Sequence, residues 1–215
     1  SGLTPYPTET QSGPVLLPGS RPEHLEIALP FMLDIIKYIH PPIPFTVMIS
    51  PFTPTQTFQT LCQTYPNITF KHQTSPNDLA PFKYALTIPG SNTLQLALLN
   101  IPFLMVLPTH NSKILRLTGI LGLLLTIPLL GNILKFICIH IMAQLNQTYA
   151  IPNKLLNKKL CPELVGRFKP KTAATKLNEL ISNKEAYKNT VNAFKTLHPT
   201  HNALDALLKE LDPTN

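Results

Sequence analysis

Short apolar runs recur along the first half of the chain, and most hand over through a Gly, Ser or Pro turn to an amphipathic stretch. That alternation marks a parallel α/β sheet, because parallel neighbours need a helix-length crossover between them. Val15-Leu16-Leu17 reads as the first strand. Pro22 to Ile39 reads as the helix after it, with Leu25, Ala28, Leu29, Met32, Leu33, Ile36 and Ile39 on one face. Pro30 is expected to kink that helix. Further strands are expected at Phe45 to Ile49, Ile68 to Phe70, Tyr84 to Ile88 and Phe103 to Leu107. Helices are expected at Pro54 to Gln63 and from about Asn92 to Leu99. The expected fold class is α/β, a Rossmann-like parallel sheet flanked by helices, over residues 14–215.

The pattern changes beyond the fifth strand. Leu117 to Leu134 runs without a charge, bracketed by Arg116 and Lys135 and interrupted by Pro128 and Gly131. It reads as an apolar helical insertion over 110–147, a pair of helices broken between 125 and 131. Burial against the sheet or a partner, or a seat on a membrane surface through 114–146, suits it better than a span. From Lys171 onward, over 171–215, helices are expected around Ala173 to Ile181, Tyr187 to Phe194 and Leu204 to Leu211. Residues 1–13, with Pro5, Pro7 and Gly13, read as a linker or tag remnant, and the chain as a fragment of something longer.

Charge narrows the partners. The net charge is +7, and its excess lies beyond residue 150, in Lys154, Lys158, Lys159, Arg167, Lys169, Lys171 and Lys176 among others. Such a field draws phosphates. Nucleic acid is excluded as a partner on sequence grounds, since there is no tryptophan, no aromatic interleaving and no recognisable motif. Cys62, Cys138 and Cys161 are odd in number and far apart, which fits free thiols in a reducing compartment. No metal site or cofactor is expected. His198 and His201 have no carboxylate or thiol beside them, and His110 reads as a surface group. No catalytic residue stands out.

Three segments carry chemistry. In Leu17-Pro18-Gly19-Ser20-Arg21-Pro22-Glu23 a strand turns at Gly19 into a helix, with Ser20 and Glu23 at capping-box spacing. Ligands of parallel sheets sit at such strand ends, helix N-termini favour anions, and Arg21 adds a fork for phosphate. In Pro89-Gly90-Ser91-Asn92-Thr93-Leu94-Gln95 the same transition recurs, with Ser91 or Asn92 as cap, Asn92 and Gln95 at capping-box spacing, and Gln95 one turn in. The third runs from Pro152-Asn153 through Lys158-Lys159 to Pro162-Glu163-Leu164 and reads as a polar loop, either solvated or a lid over a phosphorylated ligand.

In order and spacing these segments resemble the C-terminal half of the lipid-A-disaccharide synthase family. That family has a Leu-Leu-Pro-Gly-Ser-Arg turn, matched by Leu16 to Arg21. Its Ser-Gly-Thr, spacer, Leu-Glu element is matched by Pro89 to Gln95, with Gln95 in place of the glutamate. Its Pro-Asn and Pro-Glu-Leu elements are matched by Pro152-Asn153 and Pro162 to Leu164. The uncharged insertion looks like the version in related proteins of photosynthetic bacteria. The resemblance implies the C-terminal domain of a B-type glycosyltransferase, holding a UDP-sugar donor for inverting transfer to a lipid-linked acceptor. A missing N-terminal domain would supply the catalytic base. Gly19, Ser20, Arg21, Gly90, Ser91, Asn92, Thr93, Gln95, Asn153 and Glu163 would line the donor site. The implied setting is cytoplasmic and peripheral to the membrane, with a homodimer open. The alternative is a non-catalytic membrane-surface module with a decayed sugar-nucleotide site.

Overall fold

The computed structural model describes residues 13–19, 22–108 and 148–197, with only the backbone of residues 22–24. The apolar insertion, its membrane contact, the last expected helix, Cys138, His110, His198 and His201 lie outside the described residues. Among those described, no helix is long and apolar enough to cross a membrane.

Six strands form one sheet: β1 (Val15–Leu17), β2 (Thr46–Ile49), β3 (Thr69–His72), β4 (Ala85–Thr87), β5 (Phe103–Pro108) and β6 (Glu163–Gly166). Their order is β3-β2-β1-β4-β5-β6, and every neighbouring pair is parallel. The helices are α1 (Pro22–Ile36), α2 (Thr55–Thr64), α3 (Ser91–Leu98), α4 (Ile151–Leu155), α5 (Pro170–Ser182) and α6 (Lys184–Lys195). A 3₁₀ turn spans Pro76–Leu79. This is the Rossmann-like sheet flanked by helices that the sequence implies.

The strands alternate their side chains between two cores, as the two-residue period of a strand requires. Leu16, Leu86, Leu104 and Val106 join Leu29 and Met32 of α1 and Leu177 of α5 in one core. Val15, Leu17, Ala85, Phe103 and Met105 join Leu96 of α3 and Phe194 of α6 in the other. Burial on both faces is why these strands read as unbroken apolar runs.

Boundaries move for physical reasons. Helix α1 runs through Pro30 and stops at Ile36, because Tyr38 and Ile39 close tighter turns onto Ile35 and Ile36 and a run of prolines follows. Its buried face takes Ile35, fully covered, while Ile36 is half-buried. Helix α3 ends in a Schellman motif. Asn100 takes φ 59°, and the Asn100 and Ile101 N–H groups bond the Ala97 and Leu96 carbonyls. The segment read as a loop after Pro162 is instead strand β6, pairing Met105 with Glu163 through Pro108 with Gly166.

Cys161 is buried in the second core, and burial pushes its thiol up to about 12 against the pull of a backbone hydrogen bond with Phe103. A thiolate is the reactive form. Alkylation of the native protein at pH 8, read by peptide mass mapping, should therefore label half-buried Cys62 well before Cys161. Comparable rates at both would contradict this packing.

Candidate functional site

The crossover from β1 runs to β2 on one side, while β4 lies on the other side of β1. That reversal opens a crevice at the carboxyl ends of the strands. The crevice measures about 330 Å³. Every strand from β3 to β4 contributes the residues just past its end. Gly19 follows β1, Ser50 to Phe52 follow β2, Gln73 to Pro76 follow β3, and Ser91, Asn92 and Gln95 come after β4. Two sequence-predicted segments, far apart in the chain, therefore meet. Ser20 and Arg21 fall outside the described residues, between Gly19 and the start of α1.

The turns depend on backbone that L side chains rarely adopt. Gly19 has φ 106° and Gly90 has φ 150°. A Cβ added at Gly90 would meet nothing within 4 Å, so strain rather than crowding selects glycine there, and the space above it is open. Gly90 is itself the N-cap of α3 and brings no side chain to the first N–H groups. The capping expected of Ser91 or Asn92 is corrected, since both sit inside the first turn. An uncapped helix start with hydroxyl and amide side chains around it suits an anion.

Sequence reasoning missed the loops after β2 and β3. Ser50 accepts from Phe52 N–H at 3.3 Å, and the Ser50 carbonyl accepts from Thr53 N–H at 3.0 Å. The Gln73 side-chain amide donates to Gln95 Oε1 at 3.2 Å, linking the residue just past β3 to the middle of α3 across β2 and β1. Asp78 holds the β3 loop by accepting from Thr74 N–H, Thr74 hydroxyl and Ser75 N–H at 2.7, 3.0 and 2.8 Å. Partial burial works to raise its carboxyl, and these donors outweigh it, holding it below the ordinary 3.8. The signal was available: Ser50-Pro51 and Ser75-Pro76 are turn pairs close behind strands at the reversal.

Thr93, Asn153 and Glu163 have internal partners instead of a place on the crevice wall. Thr93 hydroxyl donates to the Gly90 carbonyl at 2.8 Å and accepts from Ile151 N–H at 3.2 Å. Asn153, fully buried, accepts from Leu160 and Cys161 N–H and donates to the Cys161 carbonyl and Glu163 Oε1. Glu163 also accepts from Tyr149 and Ala150 N–H at 2.7 and 3.1 Å. The third motif, read from sequence as a polar loop, either solvated or a lid, instead clamps α4 to β6. Among the described residues no cluster of His, Cys, Asp and Glu could hold a metal.

No family model matches the chain, and no curated protein matches it. Among solved structures it is similar to TarM, with TM-score 0.54 at 11% identity over 99% of this chain and 38% of that one. It is likewise similar to a point mutant of S. aureus TarM in complex with fondaparinux, alpha-GlcNAc-glycerol and UDP. That match has TM-score 0.54 and 11% identity, over 98% of this chain and 38% of that one. The chain thus spans 38% of the length of either neighbour. At 11% identity the likeness shows the fold alone, the Rossmann-like sheet flanked by helices expected from the sequence, and does not reach the lipid-A-disaccharide synthase family.

Two outcomes follow. Asn153→Leu strands buried N–H and C=O groups and should cost about 3 kcal/mol or more in urea unfolding, while Thr93→Val should cost about 1–2 kcal/mol. Wild-type stability in both would remove the clamp. Because the Asp78 carboxyl is lowered, its stabilisation is fully present above pH 3.8 and fades as pH falls through its folded value. Asp78→Asn should therefore be less stable at neutral pH and lose less on acidification, read by denaturant midpoints at pH 7 and pH 3.

Proposed function

We propose that the chain is the donor-binding domain of a glycosyltransferase, holding a uridine diphosphate sugar in the crevice at the carboxyl edge. The carrying observation is the convergence of Gly19 with Ser91, Asn92 and Gln95 on one cavity beneath an uncapped helix start. A pyrophosphate suits that position. Its oxygens accept from first-turn N–H groups and from Ser91, and the N-terminal end of α3 favours its charge. Arg21, close to Gly19 in sequence, adds positive charge that the described crevice lining lacks. Gln95 serves the ribose, hydrogen-bonding its hydroxyls without a full charge. The neighbouring TarM mutant structure holds UDP, which supports a ligand of this class on this fold.

The finer parts rest on the sequence resemblance. They are an inverting transfer, an acceptor linked to lipid, a second domain carrying the general base, and work at the cytoplasmic membrane face. Within such a pair of domains this one stabilises the leaving diphosphate, while the partner domain takes the acceptor's proton. Asn153 and Glu163 shape the domain, and the donor contacts fall to the loops of β1, β2, β3 and β4.

Calorimetric titration with UDP tests this. Saturable binding is expected, weakened roughly tenfold by Arg21→Ala, about 1.4 kcal/mol, at unchanged thermal midpoint, and lost in Gly90→Val, whose strained backbone also lowers the midpoint. Undetectable heat at millimolar UDP, or indifference to both substitutions, would overturn the reading.

A further inference from the structure

A second concavity lies at the other end of the sheet. It measures about 410 Å³ and is lined by Lys83, Tyr84, Lys184, Tyr187, Lys188 and Lys195, among others. Lys83 and Tyr84 immediately precede Ala85, the first residue of β4, whereas the Gly90 turn follows that strand's carboxyl end. Helix α6 crosses this amino edge, its Phe194 ring stacked 6.3 Å from Phe103, the first residue of β5. The groove is therefore separate from the crevice.

Its chemistry is one-sided. Lys184, Lys188 and Lys195 are spaced four and then seven residues apart, so one side of α6 presents all three. Lys83, half-buried, comes to meet them from the β4 side, with its ammonium 5.7 Å from the Tyr84 ring centre and 5.3 Å from that of Tyr187. The two rings meet edge to face at 5.3 Å, and Tyr84 hydroxyl donates to the Ile181 carbonyl at 3.1 Å, which fixes the groove's floor to α5. Among the described residues the ion pairs are Lys37–Asp34 and Lys176–Glu179, and no carboxylate reaches any of the four groove lysines. Four ammonium groups drawn to one concavity repel each other unless an anion joins them. Cation–π contact offsets this for Lys83 alone.

We propose that this groove binds a phosphate-bearing ligand carrying one or two phosphate groups. Lysine is a compact, hydrated point charge with three rotatable donors, suited to phosphate oxygens of varied geometry. The volume fits a headgroup-sized molecule rather than a continuous polymer track. The ligand is either a soluble phosphate or the headgroup of an anionic lipid, and both present the same chemistry. The inference does not rest on the donor reading of the crevice.

Two assays of the full chain separate the sources. The first is calorimetric titration with inorganic pyrophosphate. The second is cosedimentation with vesicles of phosphatidylcholine containing phosphatidylglycerol. In both, Lys184→Ala/Lys188→Ala is compared with Lys169→Ala/Lys171→Ala, which removes the same charge from the exposed start of α5. The groove pair is expected to weaken binding at least tenfold and the control pair less than threefold. Both lysines of the groove pair are exposed, so the thermal midpoint should hold, and Lys188→Glu alone provides a second variant. Loss in the pyrophosphate arm identifies a soluble ligand, and loss confined to the vesicle arm identifies a lipid headgroup. Equal weakening by both pairs means diffuse charge and overturns the proposal, as does absence of binding in both arms. Pyrophosphate binding that vanishes with Gly90→Val and ignores the groove pair, with no vesicle binding, assigns phosphate to the crevice and also overturns it. Failure of UDP to bind would leave the groove standing.

Discussion

Strand β1 is the constraint on which the architecture turns. Val15, Leu16 and Leu17 are at most 1% exposed, paired on one edge with β2 and on the other with β4. Each side chain buried to that degree contributes about 1.5–3 kcal/mol of apolar transfer, so three residues draw a helix layer onto each face of the sheet. A strand paired on both edges and covered on both faces leaves its carboxyl end as the open side. Because its neighbours come from crossovers in opposite directions, the loops at that end part. The crevice is a consequence of how β1 is buried.

The Gly90 turn depends on a contact made far away in sequence. Thr93 ties the Gly90 carbonyl to Ile151 N–H at the start of α4, and Asn153 and Glu163 tie α4 to β6. The segment 149–163 therefore reaches the crevice indirectly, through the shape of a turn. A buried asparagine with both amide atoms engaged is worth keeping because a half-satisfied one is worse than an apolar residue. It supports a backbone conformation that the helix start alone, capped by a glycine, would hold loosely.

This arrangement explains how much was legible in the sequence. Strands β1, β2, β4 and β5 are legible because their burial writes continuous apolar runs at crossover spacing, whereas edge strand β3, with only Phe70 buried, is legible mainly from its place in the alternation. Gly19 and the Gly90 turn were legible because a parallel sheet places such turns on one edge. Strand β6 was not, since it is four half-buried residues introduced by Pro162 and opened by Glu163, whose carboxyl faces internal N–H donors. Asn153 and Glu163 were noticed for their chemistry, yet a polar residue that binds a ligand and one that satisfies a core look alike until their partners are known. The loops after β2 and β3 carry turn pairs, Ser50-Pro51 and Ser75-Pro76, but only the strand order brings those turns to the crevice.

The two ends of the sheet are electrostatically distinct among the described residues. The described crevice lining holds no charged side chain, so its attraction for an anion comes from the start of α3, a field that fades within about one helical turn. Such a site discriminates by geometry, since only an anion seated against the turn gains the N–H groups. The amino edge gathers full charges on flexible stems, which act over roughly a Debye length of about 8 Å at physiological salt and set few demands on shape. On the two proposals, the crevice would select its anion by shape, and the amino-edge groove would accept phosphate with few demands on geometry.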